Sequence, residues 1–174
     1  MPAFLTPSPL TRRTFLGAGL ALAIFPRWGA AIAQAASAHE IKVALIGDTG
    51  HGDYGHGLEK PWPSFPGVRL VAVADRNPTG LAKAQARLGI PGYADYREML
   101  KTVSPDILII GPRHIHRHHE MTMAGIQHGV RAIYMEKPFC RNLQEADEIV
   151  AACKARNVKL ALAHRNRYHP DVER

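Results

Sequence analysis

Cysteine is nearly absent from these 174 residues: only Cys140 and Cys153 occur, too few for a disulfide framework. Cys153 sits on an apolar helical face, where a buried thiol is the plain reading; an oxidising compartment permits a bridge, but the spacing does not require one. Acidic residues are missing altogether before Glu40. The net charge of +7 therefore overstates the basicity of the folded part, since leaving out Arg12, Arg13 and Arg27 brings it to +4. That is not the footprint of a nucleic-acid binder. No apolar run is long enough for a permanent membrane span, and there is no internal repeat or low-complexity tract. What remains has the composition of one ordinary globular domain.

The acid-free leader has its own pattern. "TRRTFLGAGLALAIF", Thr11 to Phe25, places two adjacent arginines before Phe15-Leu16 and a short apolar run. It resembles a twin-arginine export signal, with small-residue cleavage options at Ala33-Gln34-Ala35 and Ala36-Ser37-Ala38. The resemblance implies the twin-arginine machinery as a partner, a periplasmic destination, and folding before export. Residues 1–38 are assigned to this signal and 39–170 to the folded domain.

Beyond the leader, strands are expected at Ile41 to Ile46, Val68 to Asp75, Asp106 to Gly111, Arg131 to Glu136 and Val158 to His164. Each is a continuous apolar run, as suits strands covered on both faces of a parallel sheet. The intervening segments carry helix starts. Asn77-Pro78 supplies an N-cap and a first-turn proline ahead of Leu81, Ala84 and Leu88 on one face. Asp95 with Glu98, and Asn142 with Glu145, have capping-box spacing, the latter before Leu143, Ala146, Ile149, Val150 and Cys153. "KPWPSFPG", Lys60 to Gly67, is a loop. Strand and helix in alternation predict an α/β fold with a doubly wound parallel sheet.

In such a sheet, a glycine turn after the first strand admits a diphosphate, and a helix N-terminus ordinarily meets it. "KVALIGDTGHGDYGHG" offers two registers. Starting at Gly47, threonine occupies the second glycine position, Gly47-x-Thr49-x-x-Gly52; the literal match, Gly50-x-Gly52-x-x-Gly55, begins several residues past the strand. The Gly47 register is preferred because the diphosphate lies against the strand end, and Gly50 and Gly52 are close-approach positions in both. Asp75, closing the next strand, is the expected ribose partner. It favours NAD by repelling a 2′-phosphate; Arg76 beside it could pair with that phosphate, which leaves NADP open.

"MEKPFC", Met135 to Cys140, puts Glu136, Lys137 and Pro138 at the ligand-binding edge of the sheet. Together, the glycine turn, "VAVADRNP", "DILIIGP" and this Glu-Lys-Pro turn resemble the glucose-fructose oxidoreductase/inositol dehydrogenase (Gfo/Idh/MocA) family, from Ile41 to Pro170. The resemblance implies a nicotinamide-dependent oxidoreductase acting on a sugar, polyol or related hydroxy compound. It also implies Lys137 as the catalytic proton-transfer residue, and Pro112 and Glu136 beside the cofactor with Gly47, Thr49, Gly50, Gly52, Asp75 and Arg76. His119, by its distance to Glu136, and Arg167 and Tyr168 in "HRNRYHP" would lie on the substrate side.

"GPRHIHRHHE" gathers His114, His116, His118 and His119, which raises a second reading, a metal-dependent hydrolase. The chain is too short for the barrel that such sites use, and no metal is expected. The resemblance further implies a second, substrate-covering domain. The chain stops at Arg174, with residues 171–174 opening the crossover, so it reads as the dinucleotide-binding part of an oxidoreductase. A non-catalytic dinucleotide-binding module is the alternative of different class.

Overall fold

The computed structural model describes residues 40–164 and Arg167. Six strands, β1 (Ile41–Ile46), β2 (Val68–Ala74), β3 (Gly92–Tyr93), β4 (Ile107–Ile110), β5 (Ala132–Met135) and β6 (Lys159–Leu162), form one sheet. Their order is β3-β2-β1-β4-β5-β6 and every pairing is parallel. Helices α1 (Pro78–Leu88), α2 (Tyr96–Val103), α3 (His118–Gln127) and α4 (Leu143–Arg156) make the crossovers. This is the doubly wound α/β architecture that the sequence predicts; two-residue β3 is the strand it did not announce.

Period-two alternation divides the core between the sheet's faces. Ala44, Ile46, Leu108 and Ile110 point to one face and pack with Met99 and Leu100 of α2 and Met121 of α3. Val43, Leu45 and Ile109 point to the other, where Ala84 of α1 and Leu58 of a loop meet them. Leu45, Leu108 and Ile109 are wholly buried. Each contributes about 1.5–3 kcal/mol by leaving water.

The caps work as the residue types demand. Asn77 accepts from Gly80 N at 3.0 Å and Asn142 from Glu145 N at 2.9 Å, each contact stabilising its helix by about 1 kcal/mol. In α4 the box is not reciprocal, because Glu145 turns to Arg141, accepting from its N at 2.9 Å and from its guanidinium. Leu143, 84 % exposed, and Val150, 43 % exposed, face away from the core that Ile149 enters.

One departure bears on the site. No helix follows β1: residues 47–61 run through turns, with left-handed φ at Gly50, Gly52, Asp53, Gly55 and Gly57, before a short 3-10 turn at Trp62–Ser64. Five such residues so close together cannot continue as an α-helix. The loop does a helix's packing instead: Leu58, Tyr54 and Trp62 join the second face of the core, and Glu59 pairs with Arg87 of α1.

Candidate functional site

Strand order reverses between β1 and β4, which opens a crevice beyond their carboxyl ends, where open α/β sheets take ligands. At the β2 side lies Asp75, 1 % exposed. Thr49 N donates to its two oxygens at 3.2 and 3.1 Å, Thr49 Oγ1 to Oδ2 at 2.5 Å, and Asn77 N to Oδ1 at 2.9 Å. Burial first, then the Asp75 carboxylate, raises the Tyr54 phenol above its ordinary range, so Tyr54 stays neutral. Arg76, next to Asp75, has its Nε donating to buried Asp48 Oδ1 at 2.8 Å and its Nη2 lying 3.0 Å from His51 Nδ1. A cleft of about 210 Å³ opens here, lined by Gly47, Asp75, Arg76, Tyr96, Arg97 and Arg117 among others.

Glu120 ties that cleft together, accepting from Tyr96 Oη at 2.7 Å and from Arg97 Nη2 at 2.6 Å, with Arg117 Nη2 at 3.5 Å. Burial opposes its ionisation, but these donors outweigh burial and hold the carboxyl at about 2, against an ordinary 4.5. A depressed carboxylate stabilises the fold above its unfolded-state value, and the contribution is lost as pH falls through the folded one. Melting temperature is therefore expected to decline between pH 4.5 and about 2, and Glu120→Gln to flatten that limb; an unaltered profile would remove Glu120 from the acid response. Because the side chain is 42 % exposed, solvent screening keeps the effect small.

Over the ends of β1 and β4 the loops meet: His114 N donates to His51 O at 3.2 Å and Gly111 N to Ile46 O at 2.9 Å. Gly50 has φ 90°, and an added Cβ would meet nothing within 4 Å, while its N donates to Asp53 Oδ1 at 3.0 Å. Gly52 and Gly47 approach the chain itself; a Cβ on Gly52 would lie 2.3 Å from Arg113 N, and one on Gly47 2.2 Å from the Tyr54 ring. The rings of His51, His114 and His116 stand 5.3 to 6.2 Å apart. Desolvation and then the neighbouring His51 lower His116. Among the described residues, no group of three His, Cys, Asp or Glu converges to hold a metal ion. The histidine run of the sequence divides instead: His114 and His116 face His51, His118 turns inward, and His119 faces α4.

At the β5 and β6 ends is a larger cleft of about 630 Å³, lined by His56, Tyr134, Glu136, Lys137, His164 and Arg167 among others. Glu136 is 1 % exposed. Its Oε2 accepts from His56 N at 3.0 Å and lies 2.8 Å from His56 Nδ1, while Oε1 accepts from Lys137 N at 3.1 Å. Lys137 itself is exposed at the cleft mouth, followed by a cis peptide to Pro138. Buried His118 joins the turns after β4 and β5, its two ring nitrogens each 2.7 Å from a carbonyl oxygen, of Pro138 and of Pro112.

These groups fit a dinucleotide by donor chemistry. Arg76 and the His51, His114 and His116 rings over the ends of β1 and β4 suit a diphosphate, and a carboxylate and a lysine stand at the two ends of the crevice. A profile of the Gfo/Idh/MocA oxidoreductases, an oxidoreductase family with an NAD-binding Rossmann fold, matches residues 41–164. The chain belongs to this family.

Among its curated relatives are the D-apiose dehydrogenase of Paraburkholderia graminis, 30% identical over 113 residues (64% of this chain, 30% of the relative), and the UDP-N-acetylglucosamine 3-dehydrogenase of Acidithiobacillus ferrooxidans, 28% identical over 105 residues (60% and 32%). The chain thus spans about a third of the length of these relatives. An NAD-binding oxidoreductase of Klebsiella pneumoniae has a similar structure, with TM-score 0.61 and 29% identity over 77% of this chain and 37% of its own. The WlbA dehydrogenase of Chromobacterium violaceum, solved with NADH and UDP-GlcNAcA, shares the fold at TM-score 0.67 and 22% identity, covering 79% of this chain and 39% of its own.

In this Gfo/Idh/MocA domain, then, Gly47, Asp75 and Arg76 line the smaller cleft, with Thr49 bonded to Asp75, while Glu136, Lys137 and Arg167 line the larger one; Pro112 meets His118 at the turn after β4. His119 does not join them. Its Nε2 lies 2.8 Å from Glu148 Oε2 of α4, at ion-pair distance but not aligned for a hydrogen bond, because one step along α3 turns a side chain by about 100°. The histidine against the Glu-Lys-Pro turn is His118. Sequence reasoning also passed over His56, for which the only signal was a histidine between two glycines, Gly55 and Gly57. Tyr168, the leader and its cleavage options lie outside the described residues.

Proposed function

We propose that the chain is the dinucleotide-binding part of an oxidoreductase that moves hydride to or from a sugar, polyol or related hydroxy compound. The observation that carries this is Lys137 at the mouth of the larger cleft, beside buried Glu136 and the exposed His56 paired with it, on the ligand-binding edge of a family-matched sheet. Dehydrogenases of apiose and of UDP-N-acetylglucosamine among the relatives support the substrate class.

When bound, a nicotinamide dinucleotide, with NAD favoured over NADP, supplies the hydride acceptor or donor. The rest falls to this chain. The imidazole and guanidinium groups near Gly50, and Gly50 itself once its amide leaves Asp53, would hold the diphosphate, and Asp75 would meet the adenosine ribose. Glu136 and Pro112 would wall the nicotinamide side. The Lys137 ammonium stabilises negative charge growing on the substrate oxygen and exchanges the proton; His56, fixed by Glu136, stands in the same cleft as a route for that proton. Titrating purified protein with NADH and following nicotinamide fluorescence tests the reading. Saturable binding at micromolar concentration is expected, and no binding of either NADH or NADPH would end it.

Export by the twin-arginine route to the periplasm is part of the same proposal, supported by the Thr11-Arg12-Arg13-x-Phe15-Leu16 order. Fractionating cells that express the Arg12→Lys/Arg13→Lys chain tests it, retention inside being the expected outcome and undiminished export the contrary one.

A further inference from the structure

We infer that Thr49 determines cofactor specificity by occupying the carboxylate that would otherwise read the adenosine ribose. This rests on the dinucleotide reading above. A carboxylate offers about four acceptor positions. On Asp75, Thr49 N reaches both oxygens, Thr49 Oγ1 takes Oδ2 at 2.5 Å, and Asn77 N takes Oδ1. With those contacts in place, three donors, one of them bifurcated, share the carboxylate, and a ribose 2′-hydroxyl has to compete for the acceptor capacity that is left.

The seat for Thr49 is built from the opposite side as well. Gly80, the third residue of α1, is where a Cβ would stand 1.9 Å from Thr49 Oγ1 and 2.8 Å from Asp75 Oδ2. Glycine inside a helix costs about 1 kcal/mol relative to alanine, so its use here keeps room for the hydroxyl. Tyr54 closes the third side, its Oη donating to Gly80 O at 3.4 Å with its ring over Gly47. Threonine thus stands at the second glycine position of the turn, with its side chain lodged between a carboxylate and a helix.

The consequence is a narrowed preference for NAD. A carboxylate shared among these donors neither draws the 2′-hydroxyl of NAD strongly nor repels a 2′-phosphate fully, and Arg76 and Arg97 line the same cleft. Removing the hydroxyl returns Oδ2 to the ligand. The existing backbone bond from Thr49 N survives the change, so the carboxylate stays oriented.

The test is parallel titration of the full chain and its variants with NADH and with NADPH. In Thr49→Ala, NADH is expected to bind about tenfold more tightly, the worth of a hydrogen bond to a charged group, with NADPH no tighter, so the preference for NADH rises by about that factor. Thr49→Val, which keeps the shape and loses the hydroxyl, should move the ratio the same way and covers the case of an Ala variant that does not fold. Thr49→Ser, with the hydroxyl restored, should return the wild-type ratio. An unchanged ratio in both Ala and Val variants, or a Ser variant that behaves like them, overturns the inference while leaving dinucleotide binding intact. Failure of the wild type and every variant to bind either dinucleotide overturns the binding reading itself, and this inference with it.

Discussion

Replacing Lys137 by methionine should lower the rate of hydride transfer by about 10²–10⁴-fold in any form of the protein that turns over, while NADH binds as before. Methionine keeps the length and the apolar stem but removes the ammonium. Lys137 N, not its side chain, makes the bond to Glu136 Oε1, so the turn survives the substitution. The side chain is exposed at the cleft mouth, and its loss should cost little stability. The pattern to look for is a collapse of kcat with cofactor affinity held. If kcat persists within about threefold, a proton-transfer role of the expected size does not belong to Lys137. Weaker NADH binding and slower turnover in equal measure would instead make it a cofactor contact.

A second large effect is expected at Gly55. Its φ is 66°, and a Cβ there would lie 2.5 Å from Gly111 O and 2.6 Å from Glu136 Oε2. Left-handed backbone costs alanine about 1–2 kcal/mol, and the overlap with a backbone carbonyl adds about 1–3 kcal/mol. Gly55→Ala should therefore destabilise the domain by about 3 kcal/mol or more, a large share of what holds a typical domain folded. It should also push His56 N off Glu136. Gly50→Ala is the matched control: φ is 90°, but nothing lies within 4 Å, so only the backbone strain of about 1–2 kcal/mol applies. Urea denaturation of the two variants should separate them, and equal midpoints would mean that the close packing around Gly55 gives way cheaply.

Much of the frame can be read from local chemistry. Ile41 to Ile46 and the other apolar runs announce buried parallel strands because both of their faces are covered, and Asn77, Asp95 and Asn142 start helices because their side chains replace missing helical partners. The loop after β1 was not legible in the same way. Its glycines fit a phosphate turn leading into a helix, and Tyr54, Leu58 and Trp62 even keep helical i, i+4 spacing, yet they enter the core through a chain of left-handed turns. Spacing to Glu136 selected His119 over His118, yet only the rotation of α3 decides which ring meets Pro138. The Thr49–Asp75 contact joins residues 26 positions apart through a glycine on a third element. No pattern within one segment could show it.

The turns that stand in for a helix after β1 have a thermodynamic consequence. Tyr54, Leu58 and Trp62 serve as wall for one face of the sheet while their neighbour His56 lines the larger cleft and holds Glu136. A segment with both duties cannot swing aside to admit a guest without wetting the interior. Occupancy and unfolding are then linked through one stretch of backbone, and a bound dinucleotide should slow amide exchange in β1 and β4, well beyond the atoms it touches.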